Sequence, residues 1–298
     1  MKNYIHKENL STKFALETFL GKTFNSNNCG EFEVIGIYDT YRNNSNTLLR
    51  YICKFKNTGF ETLALATAIK NGNVKDRYAK ILCGVGYVGD YDGEYSKHFL
   101  FVHWQRMIER CYNNKNIYYR EFGEVDERWY SFSNFIEDCK YLLGYNEMIE
   151  HLEDNFTVDK DYIKEGNYIY SKNNCCFLPQ SLNAFILNTK KNRDYDFEGL
   201  HLRTDSFKFR ASIRFEGKTK HIIESKNPKI VHEAYWKEKF NIANIYFANK
   251  YSYLSNEIKQ IVYNRINLKY IASNKELNRA INDGYFDLLI KNGVNNND

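Results

Sequence analysis

Two stretches of this chain decide its fold: Val158-Asp159-Lys160-Asp161, and Asn173-Asn174-Cys175-Cys176-Phe177-Leu178-Pro179-Gln180-Ser181-Leu182-Asn183. The first closes a short apolar run with two carboxylates, and the second is an apolar run followed by a proline that can open a helix. The pattern predicts strand, loop, strand and helix, with Asn183 one helical turn after the proline. A carboxylate at a strand end that faces an amide on the next helix can hold one hard divalent cation through oxygen ligands. The alternative interpretation is ordinary surface chemistry, since Asp-Lys-Asp before a turn is common.

Composition places the chain among globular proteins of a reducing compartment. Its 298 residues are 43% apolar and 16% aromatic, which is enough for real cores. The formal net charge is only +5, so the distribution of charge carries more information than its sum. The 7 cysteines form no Cys-x-x-Cys pair, and no apolar run reaches the about 18 residues that a membrane span needs. We expect unpaired thiols, no membrane partner and a location in a reducing cytosol.

The N-terminal part alternates between apolar and polar residues. Residues 31–38 and 49–56 have the period of strands, and Asn-rich or Gly-containing turns separate them. This predicts a small antiparallel sheet or barrel within residues 1–83. Arg50, Lys54 and Lys56 lie on one strand, which suits a nucleic-acid-binding barrel, although a solvated outer face explains them equally well.

Helical periodicity begins near His98. Leu100, Trp104 and Cys111 fall on one face, while Arg106 and Arg110 form an i, i+4 pair on another. These two arginines are candidates for gripping phosphates, and an exposed helix face is the alternative. A second helix is predicted after Trp129, with Ser131 or Ser133 as its N-cap.

Basic residues concentrate in the C-terminal half. Residues 189–250 hold 14 Lys and Arg against 8 Asp and Glu, a surplus of +6 that exceeds that of the whole chain. Residues 207–215 alternate between an apolar face and a face of Lys208, Arg210, Ser212 and Arg214. A solvated strand face more often mixes charges of both signs, so the pattern favours nucleic acid as a partner.

The central region resembles the phage-encoded, homing-type HNH endonucleases, over about residues 84–190. The resemblance is carried by Trp104-x-x-Met107-x-x-Arg110-Cys111-Tyr112, Val125-x-x-x-Trp129-x-x-Phe132-x-x-Phe135, Val158-Asp159-Lys160-Asp161, Gly166-Asn167, Tyr170-Ser171-x-x-Asn174-Cys175-Cys176-Phe177-x-Pro179 and Asn183. It implies a ββα-metal unit that cleaves DNA with Mg²⁺ or Mn²⁺, in a phage protein that acts in the cytosol of a bacterial host.

Transferred position by position, the family pattern makes Asp159 and Asn183 metal ligands and makes Asn174 the residue that pins the loop. Lys160 stands where these enzymes have the histidine that acts as general base. A lysine stays protonated at neutral pH unless it is buried, so Lys160 is a poor proton acceptor and a fair phosphate clamp.

A second resemblance covers about residues 197–248. Three strands with the turn Glu216-Gly217-Lys218, followed by a helix near Pro228 that ends in Ile242-Ala243-Asn244-Ile245-Tyr246-Phe247, are similar to the DNA-binding domain of plant ethylene-response factors. In that family the basic sheet face enters the major groove. The implied contact residues are His201, Arg203, Lys208, Arg210, Arg214 and Lys220.

We therefore expect a multidomain α+β protein of four parts: 1–83, a β-rich domain; 84–190, an HNH-like ββα-metal domain; 191–250, a three-stranded sheet that binds nucleic acid; and 251–298, a tail of two helices. The first functional hypothesis is a metal-dependent DNA endonuclease. The second is a non-cleaving protein derived from such a nuclease, which binds DNA or RNA and regulates genes or inhibits a nucleic-acid-based defence complex of the host. The missing histidine favours the second hypothesis, and a structural virion protein is a distant third.

Overall fold

A computed structural model describes residues 18–43, 46–163, 166–186, 197–203 and 205–287. The chain is an α+β protein that divides into two compact units, Met1–Lys140 with Tyr168–Lys172, and Tyr141–Asn167 with Asn173–Asp298. The predicted α+β class is confirmed. The elements are, in chain order, β1 Thr23–Ser26, β2 Gly30–Asn43, β3 Asn46–Phe55, β4 Glu61–Leu65, α1 Ala66–Lys70, α2 Phe101–Tyr112, β5 Glu124–Val125, α3 Phe132–Cys139, α4 Tyr145–Glu150, β6 Phe156–Asp159, β7 Ile169–Tyr170, β8 Cys176–Pro179, α5 Gln180–Ile186, β9 His201–Arg203, β10 Lys208–Phe215, β11 Lys218–Ser225, α6 Pro228–Ala248 and α7 Asn256–Asn282.

The four-part division predicted from the sequence stays a prediction. Its central part, 84–190, contributes residues to both compact units. The boundary expected at residue 190 lies outside the described residues. Among the described helices, none is long and apolar enough to cross a membrane.

The first unit begins with an antiparallel sheet of order β1-β2-β3-β4. Its alternating pattern buries Phe32, Val34 and Phe55 on one face. The edge strands are β1 and β4, so the described strands form an open sheet rather than the alternative barrel.

The basic residues of β3 have acidic partners. Arg50 pairs with Asp39, Lys54 with Glu61 at 3.8 Å, and Lys56 with Glu31 at 2.8 Å. The charges on this sheet are therefore balanced locally. This arrangement favours the solvated-face interpretation over a nucleic-acid-binding barrel.

The helices of the first unit follow the predicted periodicity. Trp104, Met107 and Cys111 are buried on α2, and the indole N–H of Trp104 donates to the carbonyl of Trp129 at 2.7 Å. Ser131 is the N-cap of α3 and accepts from the N–H of Asn134. Both predicted helices and the predicted cap are present.

In the second unit, β6 and β8 pair antiparallel with Asp159 opposite Cys176, and α5 starts directly after Pro179. The strand, loop, strand and helix order predicted for this segment is thus observed. Gly144, just before α4, has φ +84°, and a Cβ atom there would lie 2.1 Å from the carbonyl oxygen of Phe177. Only glycine allows the chain to approach β8 so closely.

The second sheet has the order β11-β10-β9 and is antiparallel throughout. Phe209, Ala211 and Ile213 of β10 are buried, and α6 packs on their face. Glu216 and Gly217 both have positive φ, as a two-residue hairpin turn requires. A bulge interrupts the β10–β11 pairing, because Ala211 is opposite Ile223 while Ser212 is opposite His221.

The apolar residues from Ile258 to Ile266 and from Leu277 to Ile281, which predicted two helices, lie in one helix, while Leu288 and Leu289 of the second predicted helix are outside the described residues. Helix α7 runs from Asn256 to Asn282, with the side chain of Ser255 capping its first turn. No glycine or proline occurs within it, so nothing interrupts the backbone hydrogen bonds before Gly284.

A buried histidine joins α6 to α7. His232 is fully buried, its Nε2 accepts from the indole N–H of Trp236 at 2.9 Å, and Nε2 lies 2.9 Å from the hydroxyl of Ser273. Because an indole N–H can only donate, Nε2 must carry a lone pair. Burial lowers the pKa of His232 from 6.5 to about 4, and Glu198 opposes this shift.

We expect this histidine to make the second unit less stable in mild acid. The folded-state pKa is depressed, so the unfolded chain binds the proton more readily between pH 6.5 and 4. The free energy of unfolding should fall by about 1 kcal/mol between pH 7.0 and 5.5 on account of this group alone. Urea unfolding at both pH values checks this expectation. The difference between wild type and His232→Asn isolates the histidine, and identical pH dependence in the two proteins would contradict it.

Candidate functional site

Asp159 lies at the end of β6 and is 8% exposed. Its Oδ1 accepts from the backbone N–H groups of Asp161 at 2.7 Å and Tyr162 at 3.1 Å. Its Oδ2 accepts from Nδ2 of Asn183 at 3.1 Å. The structure therefore brings together the two residues that the sequence singled out as metal ligands, one from β6 and one from α5.

The surroundings of Asp159 disfavour its charge. Burial raises the pKa of the Asp159 carboxyl, and the neighbouring carboxylate of Asp161 adds to this shift, while the hydrogen bonds that Asp159 accepts oppose it. Burial also raises the pKa of Tyr162 and of Cys176, and Asp159 contributes to both shifts. Within the described part of the chain, the Tyr162 hydroxyl and Oδ1 of Asn183 are buried without a hydrogen-bond partner.

The side chain of Lys160 stabilises the loop after β6 through two hydrogen bonds. Its Nζ donates to Oδ1 of Asp161 at 2.6 Å and to the carbonyl of Asn167 at 2.7 Å, and its side chain is only 15% exposed. Asn167 returns a hydrogen bond to the carbonyl of Lys160 at 2.9 Å, and Nδ2 of Asn174 donates to Oδ1 of Asn167 at 3.3 Å. The ammonium of Lys160 is thus engaged by a carboxylate and a carbonyl, which is an arrangement for holding a loop closed rather than for accepting a proton.

Two protein oxygens are available for a cation at this place. They are Oδ2 of Asp159 and Oδ1 of Asn183. Rotation of the Asn183 side-chain amide would bring its Oδ1 to face the Asp159 carboxylate. No group of three His, Cys, Asp or Glu side chains that could hold a metal occurs among the described residues. Hard oxygen donors suit Mg²⁺ or Mn²⁺, and such an ion commonly takes its other ligands from water and phosphate.

We expect Asp159→Asn to stabilise the protein in the absence of divalent metal, by about 1 kcal/mol at pH 7. The asparagine oxygen keeps the two backbone hydrogen bonds, and its new N–H can donate to the unpartnered oxygen of a turned Asn183 amide. The buried charge disappears. Urea unfolding with EDTA checks this. A destabilised variant would show that the carboxylate charge itself supports the loop.

A second candidate surface is the open face of the three-stranded sheet. Strand pairing places Lys208 beside Arg203, Arg210 between His201 and Glu224, Ser212 beside His221, and Arg214 beside Thr219. Residues directly opposite each other on antiparallel strands share a face. The predicted contact residues His201, Arg203, Lys208, Arg210 and Arg214 therefore lie on this face, which we call the basic face.

A single carboxylate organises the arginines of the basic face. Oε1 of Glu224 lies 2.9 Å from Nη1 of Arg203 and 3.2 Å from Nε of Arg210. Arg203 also donates to Asp205 in the loop that precedes β10, with Nε at 3.0 Å. Arg214 and Lys208 are exposed and have no ion-pair partner among the described residues.

Three other predicted contact residues lie elsewhere. Lys220 is opposite Ile213 and so shares the face that α6 covers, where its Nζ pairs with Glu238 of α6 at 2.7 Å. The resemblance implied Lys220 as a contact residue with the others, but the pairing counted from the hairpin turn puts it opposite Ile213 and hence on the other face. Arg106 is exposed on α2 of the first unit, and Arg110 there donates from Nη1 to the hydroxyl of Tyr170 at 2.9 Å.

Sequence reasoning also missed Glu224 and His221 as members of the basic face. They are three residues apart, and simple alternation would place them on opposite faces. A bulge in the β10–β11 pairing lies between His221 and Glu224 and brings both side chains to the same face. No feature of the sequence indicates the bulge.

Comparison with known proteins gives no relative. No protein family, no curated protein and no solved structure matches this chain.

Proposed function

We propose that this chain is a nucleic-acid-binding protein and that DNA binds to the basic face of the β9–β11 sheet. The observation that carries the proposal is the asymmetry of this sheet. One face is packed by α6, while the other is open and carries four cationic side chains: Arg203, Lys208, Arg210 and Arg214.

The charges of the basic face suit a polyanion. The acidic groups among these residues are Glu224 and Asp205, and each is bonded to arginine. Arg214 and Lys208 remain available to phosphates, and Arg203 and Arg210 have planar guanidinium groups that can read base edges. Duplex DNA is the proposed ligand because a β-ribbon fits its major groove. RNA is the alternative that the experiment distinguishes.

The central segment supports binding without cleavage. Lys160 replaces the expected general base, and its ammonium holds the loop through Asp161 and Asn167. This supports the hypothesis of a protein derived from an HNH nuclease that no longer cuts, in the role of a regulator or an inhibitor of a host defence complex.

Fluorescence anisotropy with labelled duplex DNA, single-stranded DNA and duplex RNA tests the proposal. We expect duplex DNA to bind most tightly, and the logarithm of the binding constant to fall linearly with the logarithm of salt concentration, with a slope of about −0.9 for each phosphate neutralised. Absence of binding to all three ligands at low salt would overturn the proposal. Tighter binding of RNA would change the ligand class.

Metal-dependent cleavage is a second candidate, favoured by the contact between Asp159 and Asn183 across the strand, loop, strand and helix segment. If it holds, supercoiled plasmid incubated with Mn²⁺ should be nicked by the wild type and not by Asp159→Asn or Asp159→Ala. Asp159 and Asn183 would hold the cation, which neutralises charge developing at a phosphate when bound. Intact plasmid with wild-type protein would remove this candidate and leave binding alone.

A further inference from the structure

Glu224 is an acidic side chain in the middle of the basic face, between Arg203 and Arg210. It lies on β11 directly opposite Arg210, and Arg203 reaches it from β9 across β10. Its carboxylate is 2.9 Å from Arg203 and 3.2 Å from Arg210, and its side chain is 24% exposed. The carboxylate therefore links all three strands on the open side of the sheet.

This contact does two things to the arginines. It helps to fix the direction of both guanidinium groups, together with Asp205, which accepts from Nε of Arg203 at 3.0 Å, and His221, whose Nδ1 accepts from Nε of Arg210 at 3.2 Å. It also reduces the positive charge that these arginines present to an approaching phosphate. Arg203 keeps the pKa of Glu224 below its usual range, so the carboxylate stays ionised near neutral pH.

A carboxylate in such a position repels any phosphate backbone, whatever the base sequence. If Arg203 and Arg210 turned away from Glu224 to bind a phosphate, the Glu224 carboxylate would lose its cations and lie beside the negative phosphate. Two like charges placed together cost free energy. A base edge that offers acceptors to the arginines brings no full negative charge to Glu224. Selectivity can arise in this way from a repulsive element as well as from attractive contacts.

We propose that Glu224 is a specificity-determining residue of the basic face, which positions Arg203 and Arg210 for base edges and weakens binding to backbone alone. This inference rests on the proposed function of the sheet. Lys208 and Arg214 then supply the contacts to phosphates that do not depend on sequence.

The test compares Glu224→Gln with Glu233→Gln, which removes the same charge from an exposed position on α6. We expect Glu224→Gln to bind a random-sequence duplex about five- to tenfold more tightly than wild type. It should also give less sequence enrichment when a randomised duplex pool is selected. Glu233→Gln should match wild type in both measurements, and Glu224→Asp should recover part of the enrichment.

The outcomes separate this inference from the proposed function. If wild type binds no nucleic acid, the proposed function fails. If wild type binds and Glu224→Gln has unchanged affinity for random duplex and unchanged enrichment, only the role of Glu224 fails. Equal effects of Glu224→Gln and Glu233→Gln would show that net charge alone explains the change in affinity, and would also contradict the role of Glu224. Thermal melting of each variant shows whether the fold is retained.

Discussion

Replacing Lys239 by alanine should lower the free energy of unfolding of the second unit by about 3–5 kcal/mol. The lysine side chain is 1% exposed, and its Nζ pairs with a carboxylate oxygen of Glu198, which is itself only 10% exposed. The ammonium lies over the rings of Phe185 at 5.5 Å and Trp236 at 5.3 Å. Alanine would leave a cavity among these rings and a buried carboxylate without its nearest cation.

Part of the charge of Glu198 would remain compensated. Lys269 of α7 lies 3.9 Å from Oε2 of Glu198, and the hydroxyl of Tyr235 donates at 3.1 Å to Oε1, the oxygen that Lys239 contacts. Glu198→Gln in the Lys239→Met background should therefore recover much of the lost stability, because a buried pair replaced as a pair leaves no lone charge.

Hydrogen exchange measured by mass spectrometry along a urea series gives the stability of α6 separately from the first unit. Lys237→Ala is the matched control, since Lys237 is exposed two residues earlier on the same helix. A loss below about 1 kcal/mol for Lys239→Ala, the upper end of what exposed ion pairs contribute, would contradict the buried role.

The second large effect concerns binding. Replacing Arg210 and Arg214 together by alanine should weaken duplex binding about 100-fold and make the salt slope shallower by about 2. Both side chains lie on the open side of β10, and the ion pair of Arg210 with Glu224 is solvent-accessible, so the fold should stay intact with a change in stability within about 1 kcal/mol.

Anisotropy titrations at several salt concentrations measure both quantities. The matched control is Lys229→Ala with Lys237→Ala, which removes two charges from exposed positions on α6. If the control pair weakens binding as much as the arginine pair, net charge and not the basic face determines affinity. Unchanged affinity in the arginine pair would take the sheet out of the interface.

Local patterns made part of this structure predictable. The alternation along β10 identified its buried residues, and the glycine turn at residue 217 located the hairpin. The order of strand, loop, strand and helix around Asp159 could be read from two apolar runs and a proline.

What could not be predicted depends on contacts between distant residues. The sequence places Lys239 among apolar residues of a helix but does not show that it pairs with Glu198. It likewise does not show that Lys160 donates to Asp161 and to the carbonyl of Asn167. The resemblance implied Lys220 as a contact residue, but the residue opposite it in the neighbouring strand decides which face it occupies, and that residue is the buried Ile213.

The bulge in β11 shows that the length of this strand decides which side chains the basic face presents. Ile222 is the extra residue that lets His221 and Glu224 point to the same side, although an odd number of positions separates them. Gain or loss of a single codon in a regular part of this strand would exchange every later side chain between the two sides. The same change would turn residues from the face that α6 covers towards solvent, so the length of β11 is tied both to the ligand surface and to the packing beneath it.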